Sequence, residues 1–134
     1  MSLRWSHTTV DAHDIAMLAR WWADVLGWRI EFEDEHEVNV VPPEADDDPV
    51  DALGTWQALR PGLVFVPVPE GKTAKNRLHI DLAPHISQDR EAEIEHLVAT
   101  GATRVDVGQD DDVTWTVLAD PEGNEFCVLS SRDR

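Results

Sequence analysis

Residues 77 to 82 place three chemically active side chains on one predicted strand. Arg77, His79 and Asp81 alternate with apolar residues, and alternate residues of a strand project from the same face. A carboxylate next to an imidazole can fix its tautomer and raise its basicity, which suits proton abstraction next to a carbonyl. Arg77 can instead hold a substrate carboxylate through two hydrogen bonds. The alternative is an ordinary polar cluster at the mouth of a barrel.

Residues 120 to 129 supply two further candidates. Asp-Pro-Glu-Gly predicts a tight turn, in which Gly123 provides the positive φ of a sharp reversal. The strand that follows places Glu125 and Cys127 on one face. Cys127 is the only cysteine, so the chain forms no internal disulfide, which fits a reducing cytoplasm.

Composition narrows the range of partners. The 134 residues include 27 acidic and 11 basic side chains, for a net charge of −16. Nucleic acids and anionic membranes bind proteins through positive charge, so we expect neither as a partner. No segment has the character of a membrane span or a secretory signal. The expectation is a cytoplasmic protein that binds a small molecule.

The pattern of strands and helices repeats once, in the order βαβββ and then βαβββ. Helices are predicted after Asp14, ending at Gly27, and after Ser87 or Asp89. Residues 42–51 are acidic and rich in proline, which predicts a solvated loop, and residues 50–59 are either a short helix or irregular. Strands are predicted at residues 3–11, 28–33, 37–41, 63–68, 77–82, 104–107, 113–119 and 124–130.

This order predicts an α+β fold in a single domain over residues 1–134. Module 1 spans about residues 1–70 and module 2 about residues 76–132. The two modules are expected to form a cupped, partly closed eight-stranded mixed sheet with the helices outside. The repeat matches two pairs of residues, His7 with His79 and Val66 with Cys127, and predicts that all four line the cup.

Four motifs together resemble the vicinal oxygen chelate superfamily, which includes glyoxalase I, extradiol dioxygenases and bleomycin resistance proteins. Within it, the chain is similar to a glyoxalase-like subgroup of bacterial proteins. The resemblance covers nearly the whole chain outside residues 42–59 and implies the fold predicted above. The motifs are His7 seven residues before Asp14, Val25-Leu26-Gly27-Trp28, Leu78-His79-Ile80-Asp81 and Asp120-Pro121-Glu122-Gly123-Asn124.

The resemblance also implies a metal site. Metal-dependent members take one ligand from the first and last strand of each module, which here gives His7, Val66, His79 and Cys127. Valine cannot ligate, and cysteine stands where a carboxylate is usual. A site of His7, His79 and Cys127, completed by Glu125 or Asp81, can hold a divalent ion (Zn, Ni, Fe or Mn). Alternatively, Cys127 is a small buried hydrophobe and the histidines are hydrogen-bonded pocket residues.

Three functions fit these features. The first is a small-molecule enzyme of lyase or isomerase type, with His79, Asp81 and Glu125 catalytic. The second is a binder that sequesters a cationic aromatic compound, as bleomycin resistance proteins do. The third is a structural or regulatory module with a vestigial pocket. The resemblance implies a homodimer. The predicted ligand-binding side chains are His7, Arg77, Cys127 and the indoles of Trp5, Trp28 and Trp115. The cations Lys72, Lys75 and Arg77 either offer an anion site or pair with nearby acids.

Overall fold

Each half of the chain builds its own four-stranded mixed sheet. The computed structural model describes residues 2–108 and 110–134, which divide into unit 1, Met1–Gly71, and unit 2, Lys72–Arg134. Unit 1 contains β1 (His7–Ala12), α1 (Ile15–Leu26), β2 (Arg29–Glu33), β3 (Val38–Val41), α2 (Leu53–Gln57) and β4 (Gly62–Pro67). Unit 2 contains β5 (Ile80–Leu82), α3 (Arg90–Ala99), β6 (Thr103–Arg104), β7 (Thr116–Ala119) and β8 (Glu125–Val128).

The predicted α+β class and the tandem βαβββ order are confirmed. The strand order is β1-β4-β3-β2 in unit 1 and β5-β8-β7-β6 in unit 2. In both units the first and last strands pair in parallel, and the other pairs are antiparallel. The last strand of each unit is therefore central. That the two units form one domain around a shared cup stays a prediction.

Helix α1 covers one face of the unit 1 sheet. The Asp14 carboxylate caps it by accepting from the Met17 backbone N–H at 3.0 Å, and Gly27 ends it with a left-handed φ of 64°. Residues at helical spacing form its buried face. The core of unit 1 combines Ile15, Leu18, Ala19, Trp21 and Trp22 of α1 with Val38, Val40, Leu63 and Phe65 of the sheet.

In unit 2, apolar side chains of α3 and the sheet form the core. Asp89 caps the helix through the backbone N–H groups of residues 91 and 92. The buried set comprises Ile94, Leu97, Val117, Leu118, Phe126 and Val128. The alternation predicted for the last strand therefore places Phe126 and Val128 correctly in the core.

Several strands are shorter than predicted. The first begins at His7 and not at residue 3, and the third segment of unit 2 forms a strand only from Thr116. The strand predicted at residues 77–82 starts at Ile80, because residues 77 and 78 form a bend. Leu78 is consequently 91% exposed instead of buried. Residues 42–51 contain no helix or strand, as predicted, and the undecided segment after them includes the short helix α2.

The strand register corrects one detail of the predicted repeat. In unit 2, His79 lies two residues before the strand partner of Cys127. In unit 1, His7 lies two residues before the partner of Val64. The two predicted pairs are therefore not both equivalent: with His7 matched to His79 the counterpart of Cys127 is Val64, and with Val66 matched to Cys127 the counterpart of His79 is Thr9. A slip of two residues keeps side chains on the same face, so alternation alone does not detect it.

Candidate metal and ligand site in unit 2

Strands β5 and β8 bring three potential metal ligands together. Asp81 and Cys127 are partners in the parallel pairing, and His79 immediately precedes β5. One ligand atom from each of the three lies within 4.8 Å of the others, and His79 Nε2 is 3.1 Å from Asp81 Oδ1. The sulfur is buried, whereas the imidazole and carboxylate are exposed. The group is thus anchored in the sheet on one side and accessible on the other.

The surroundings of Cys127 favour the protonated thiol. Burial raises the pKa of this thiol, and the charge and hydrogen bond of Asp81 raise it further, while the Lys75 ammonium has the opposite effect. Cys127 therefore lacks the electropositive surroundings of a reactive cysteine. A bound metal ion displaces this proton, because the thiolate is the ligating form.

The three side chains fit a divalent metal ion. Zinc bonds to nitrogen, oxygen and sulfur are about 2.0–2.3 Å long, so the ligand atoms around one ion are roughly 3–4 Å apart. The three ligand atoms lie within 4.8 Å of one another, close to that range. Thiolate and imidazole favour zinc over manganese, which prefers oxygen ligands. Three protein ligands also leave the fourth tetrahedral position open, as in catalytic zinc sites.

A pocket of about 310 Å³ opens at this group. Its volume lies at the lower end of the range for small-molecule sites, roughly 300–1,000 Å³. Apolar side chains form much of the wall, and the polar atoms come from the three candidate ligands and two further charged residues. The lining consists of Lys75, His79, Asp81, Val107, Trp115, Val117, Glu125, Cys127 and Leu129.

Glu125 also lines this pocket, and hydrogen bonds hold its ionised carboxylate in place. Its Oε1 accepts from Lys72 Nζ at 2.8 Å and its Oε2 from the Asn76 backbone N–H at 2.9 Å. Burial alone raises the pKa of this carboxyl, but these hydrogen bonds and the Lys72 charge lower it to about 2. Such a carboxylate is a weak proton acceptor at neutral pH. The catalytic role of Glu125 stays a prediction, and its contacts favour a positioning role.

Other predicted site residues lie in different places. Trp115 and Cys127 line the unit 2 pocket, whereas Arg77 is exposed, lies in the bend before β5 and does not line it. The predicted common face of Arg77, His79 and Asp81 is therefore wrong, because the chain is not extended at Arg77.

Three predicted site residues belong to unit 1. Trp5 is 68% exposed, and its Nε1 donates to the His7 carbonyl at 3.2 Å. Trp28 lies beneath the Arg60 guanidinium, 5.6 Å from the ring centroid. His7 lines a separate cavity of about 440 Å³ between the sheet and residues 42–60. Their participation in the metal or ligand site stays a prediction.

The unit 1 cavity carries an excess of hydrogen-bond acceptors. Its carboxylates are Glu31, Glu44, Asp46 and Asp48. Only one of these four, Glu44, forms an ion pair with an arginine of the described residues. Two buried atoms of the lining, the acceptor Asn39 Oδ1 and the donor Arg4 Nε, have no hydrogen-bond partner in residues 2–108 and 110–134. A ligand with N–H donors and positive charge complements such a lining.

Two of these features are not predictable from the sequence. Asn39 alternates with the buried Val38 and Val40 and carries no sequence signal of an unsatisfied acceptor. The tether from Glu125 to Lys72 and Asn76 joins segments about fifty residues apart. Charge complementarity between residues 72 and 125 was the available signal, and it cannot choose among the many acidic residues of this chain.

The paired βαβββ units define the class of protein as the vicinal oxygen chelate superfamily. Residues 7–129 match the glyoxalase-like domain family, and the chain belongs to that family. No curated protein matches the chain significantly.

Solved structures support the fold. An enzyme of the glyoxalase/bleomycin resistance protein/dioxygenase family from Burkholderia phytofirmans is 15% identical, with a TM-score of 0.67 over 97% of this chain and 100% of that one. The oxidase ChaP-H2 is 20% identical, with a TM-score of 0.59 over 99% and 96%. The fosfomycin resistance protein FosX from Listeria monocytogenes, solved with Mn(II) and a dihydroxypropylphosphonic acid, is 9% identical, with a TM-score of 0.65 over 95% and 89%. At these identities the similarity establishes the fold alone.

The helices of the described residues are too short or too polar for a bilayer. None of them combines the length and the apolar character that a membrane crossing requires.

Proposed function

We propose that this chain is a small-molecule enzyme of lyase or isomerase type whose site is the unit 2 pocket. His79, Asp81 and Cys127 hold a divalent metal ion, with zinc as the best match. The observation that carries the proposal is the grouping of their three ligand atoms within 4.8 Å at a pocket of small-molecule size. The ion would supply Lewis acidity toward a carbonyl oxygen.

The protein side chains take distinct roles in this proposal. Cys127 is the buried anchor, because its strand fixes its position. Asp81 would hold the ion through one carboxylate oxygen and accept the proton of the carbon next to the carbonyl through the other. His79 orients that carboxylate. Glu125 holds the segment before β5 through Lys72 and Asn76 and moves no proton.

Equilibrium dialysis against zinc tests the metal site. We expect one zinc ion per chain in the wild type and a loss of at least tenfold in affinity for His79→Ala and Cys127→Ser. The matched control is His36→Ala, because His36 is an exposed loop histidine outside the group. Equal zinc affinity in all four proteins would overturn the metal site.

Deuterium exchange tests the chemistry. The zinc-loaded protein is incubated in D₂O with a panel of 2-oxo acids and 2-hydroxyaldehydes, and NMR follows the loss of the proton next to the carbonyl. Asp81→Asn should reduce this exchange by about 10²-fold or more, as expected for loss of a general base. Exchange that is unchanged in Asp81→Asn would contradict the role of Asp81.

The unit 1 cavity supports a second function, sequestration of a cationic aromatic compound. Its carboxylates and the unpartnered Asn39 Oδ1 favour an ammonium ligand. Burial, and then the neighbouring Asp47, raise the pKa of Glu31, so a cation there also relieves the repulsion between two acids. Calorimetry with 1-naphthylmethylammonium against neutral 1-naphthylmethanol tests this function. Asn39→Leu should weaken binding of the ammonium compound more than binding of the alcohol. Equal affinity of the wild type for the two compounds would exclude the sequestration function.

A homodimer in the cytoplasm completes the proposal. The dimer rests on the family resemblance, and the compartment rests on the single cysteine. Light scattering coupled to size exclusion tests the dimer, for which the expected mass is twice the 15.1 kDa of one chain.

A further inference from the structure

We infer that the unit 2 pocket takes an anionic ligand with a flat apolar body, and that Lys75 determines this specificity. The inference rests on the proposed function only in placing the ligand in this pocket. It requires no metal ion, so the two can fail separately.

Lys75 is a charged residue without a carboxylate partner. Its Nζ donates to the Asn76 carbonyl at 3.3 Å, and within residues 2–108 and 110–134 it forms no ion pair. Lys72, the other of the two lysines in the chain, forms an ion pair with Glu125 at 2.8 Å. The lysine at the pocket therefore retains its charge for a ligand.

Both carboxylates of the lining contact a basic side chain other than Lys75. Glu125 is balanced by Lys72, and the Asp81 carboxylate faces His79. A divalent ion would balance the Asp81 carboxylate and the Cys127 thiolate. The Lys75 ammonium forms no ion pair with these acids, and it offers a positive charge to an anion despite the net charge of −16.

The wall of the pocket selects a flat, apolar body. Val107, Val117 and Leu129 contribute aliphatic surface, and the Trp115 side chain lines the pocket while remaining 41% exposed. Indole rings stack on planar groups, so Trp115 favours a planar ligand here. The volume of about 310 Å³ limits the ligand to one or two fused rings or an equivalent conjugated chain.

Arg77 is the competing residue. It lies two residues after Lys75 and carries the same charge, but it does not line the pocket. Guanidinium is usually the better partner for a carboxylate, so sequence alone favours Arg77 as the anchor. The pocket geometry assigns that role to Lys75.

Calorimetry with two matched probes tests this inference. 1-Naphthoate and 1-naphthamide share one ring system and differ in charge, and each is titrated into metal-free and zinc-loaded protein. We expect the wild type to bind naphthoate at least tenfold more tightly than naphthamide. Lys75→Gln should remove this preference, Lys75→Arg should retain part of it, and Arg77→Gln should leave both affinities within twofold.

Three outcomes would overturn the inference. Equal affinity for the two probes, no binding of either at millimolar concentration, or loss of naphthoate binding in Arg77→Gln but not in Lys75→Gln contradicts the role of Lys75. Circular dichroism establishes that Lys75→Gln is folded, and Lys75→Arg serves as the second variant. Zinc dialysis on the same samples separates this result from the proposed metal site.

Discussion

Asp81 and Cys127 are strand partners in the parallel pairing of β5 with β8. Paired residues of a sheet project from the same face, so the backbone fixes the approach of carboxylate and sulfur. His79 differs, because it lies just outside β5 in the irregular segment that begins at residue 68. The candidate site therefore combines two rigid ligands with one that the preceding segment positions.

Zinc affinity should increase with pH. The pKa of the Cys127 thiol is raised, chiefly by burial, so zinc binding near neutral pH releases its proton. Calorimetry from pH 6 to pH 8.5, in buffers of different ionisation enthalpy, measures the released protons. Cys127→Ser should bind zinc more weakly and release about one proton fewer. An equal release from both proteins would show that the sulfur is not a ligand.

The Lys72–Glu125 pair should stabilise the fold above about pH 5. The folded pKa of Glu125 is about 2, below its ordinary value of 4.5. A lowered folded pKa stabilises the protein above the unfolded pKa, and this stability is lost as the pH falls toward 2. Its contribution is at most about 3 kcal/mol. Glu125→Gln should therefore unfold more easily in urea at pH 7 and show a smaller loss of stability between pH 5 and pH 2.5.

The matched control for that experiment is Glu44→Gln. Glu44 also forms an ion pair, with Arg60 at 2.6 Å, but both side chains are more than half exposed. Exposed pairs contribute little to stability because water screens them. If Glu44→Gln and Glu125→Gln lost the same stability, burial of the Glu125 pair would not be the cause.

Two glycine substitutions should have opposite effects on stability. Gly27 ends α1 at a φ of 64°, so Gly27→Ala should cost about 1–2 kcal/mol of unfolding free energy. Gly54 lies within α2, and an added methyl group there meets no atom within 4 Å. Gly54→Ala should stabilise the protein by up to about 1 kcal/mol through helix propensity. Thermal and urea unfolding measure both changes, and destabilisation by Gly54→Ala would contradict this account.

Sequence periodicity predicts the fold well because burial imposes it. The spacing of Leu18, Ala19 and Trp22 predicts the buried face of α1, and Phe126 and Val128 predict the buried face of β8. The order of elements then follows from the repeat. Parallel pairing of the first and last strands of unit 2 brings residue 81 beside residue 127. Only the strand register reveals that proximity.

The candidate site is less predictable because it depends on where strands begin. The alternation from Arg77 to Leu82 suggests a continuous strand, but the Asn76 N–H donates to the Glu125 side chain of β8 instead of to a backbone carbonyl of that strand. This tertiary contact overrides local propensity. It removes Arg77 from the row of His79 and Asp81 and leaves Lys75 at the pocket.

Cobalt substitution is the sharpest test of the metal site formed by His79, Asp81 and Cys127. Co(II) is added to the metal-free wild type, His79→Ala, Cys127→Ser and the control His36→Ala, and the visible and near-ultraviolet spectra are recorded. In the wild type and the control we expect intense tetrahedral d–d bands and a thiolate charge-transfer band. Cys127→Ser should lose the charge-transfer band, and His79→Ala should lose most of the bound cobalt. A wild-type spectrum of hydrated Co(II), or a charge-transfer band that persists in Cys127→Ser, would contradict a metal site built from His79, Asp81 and Cys127.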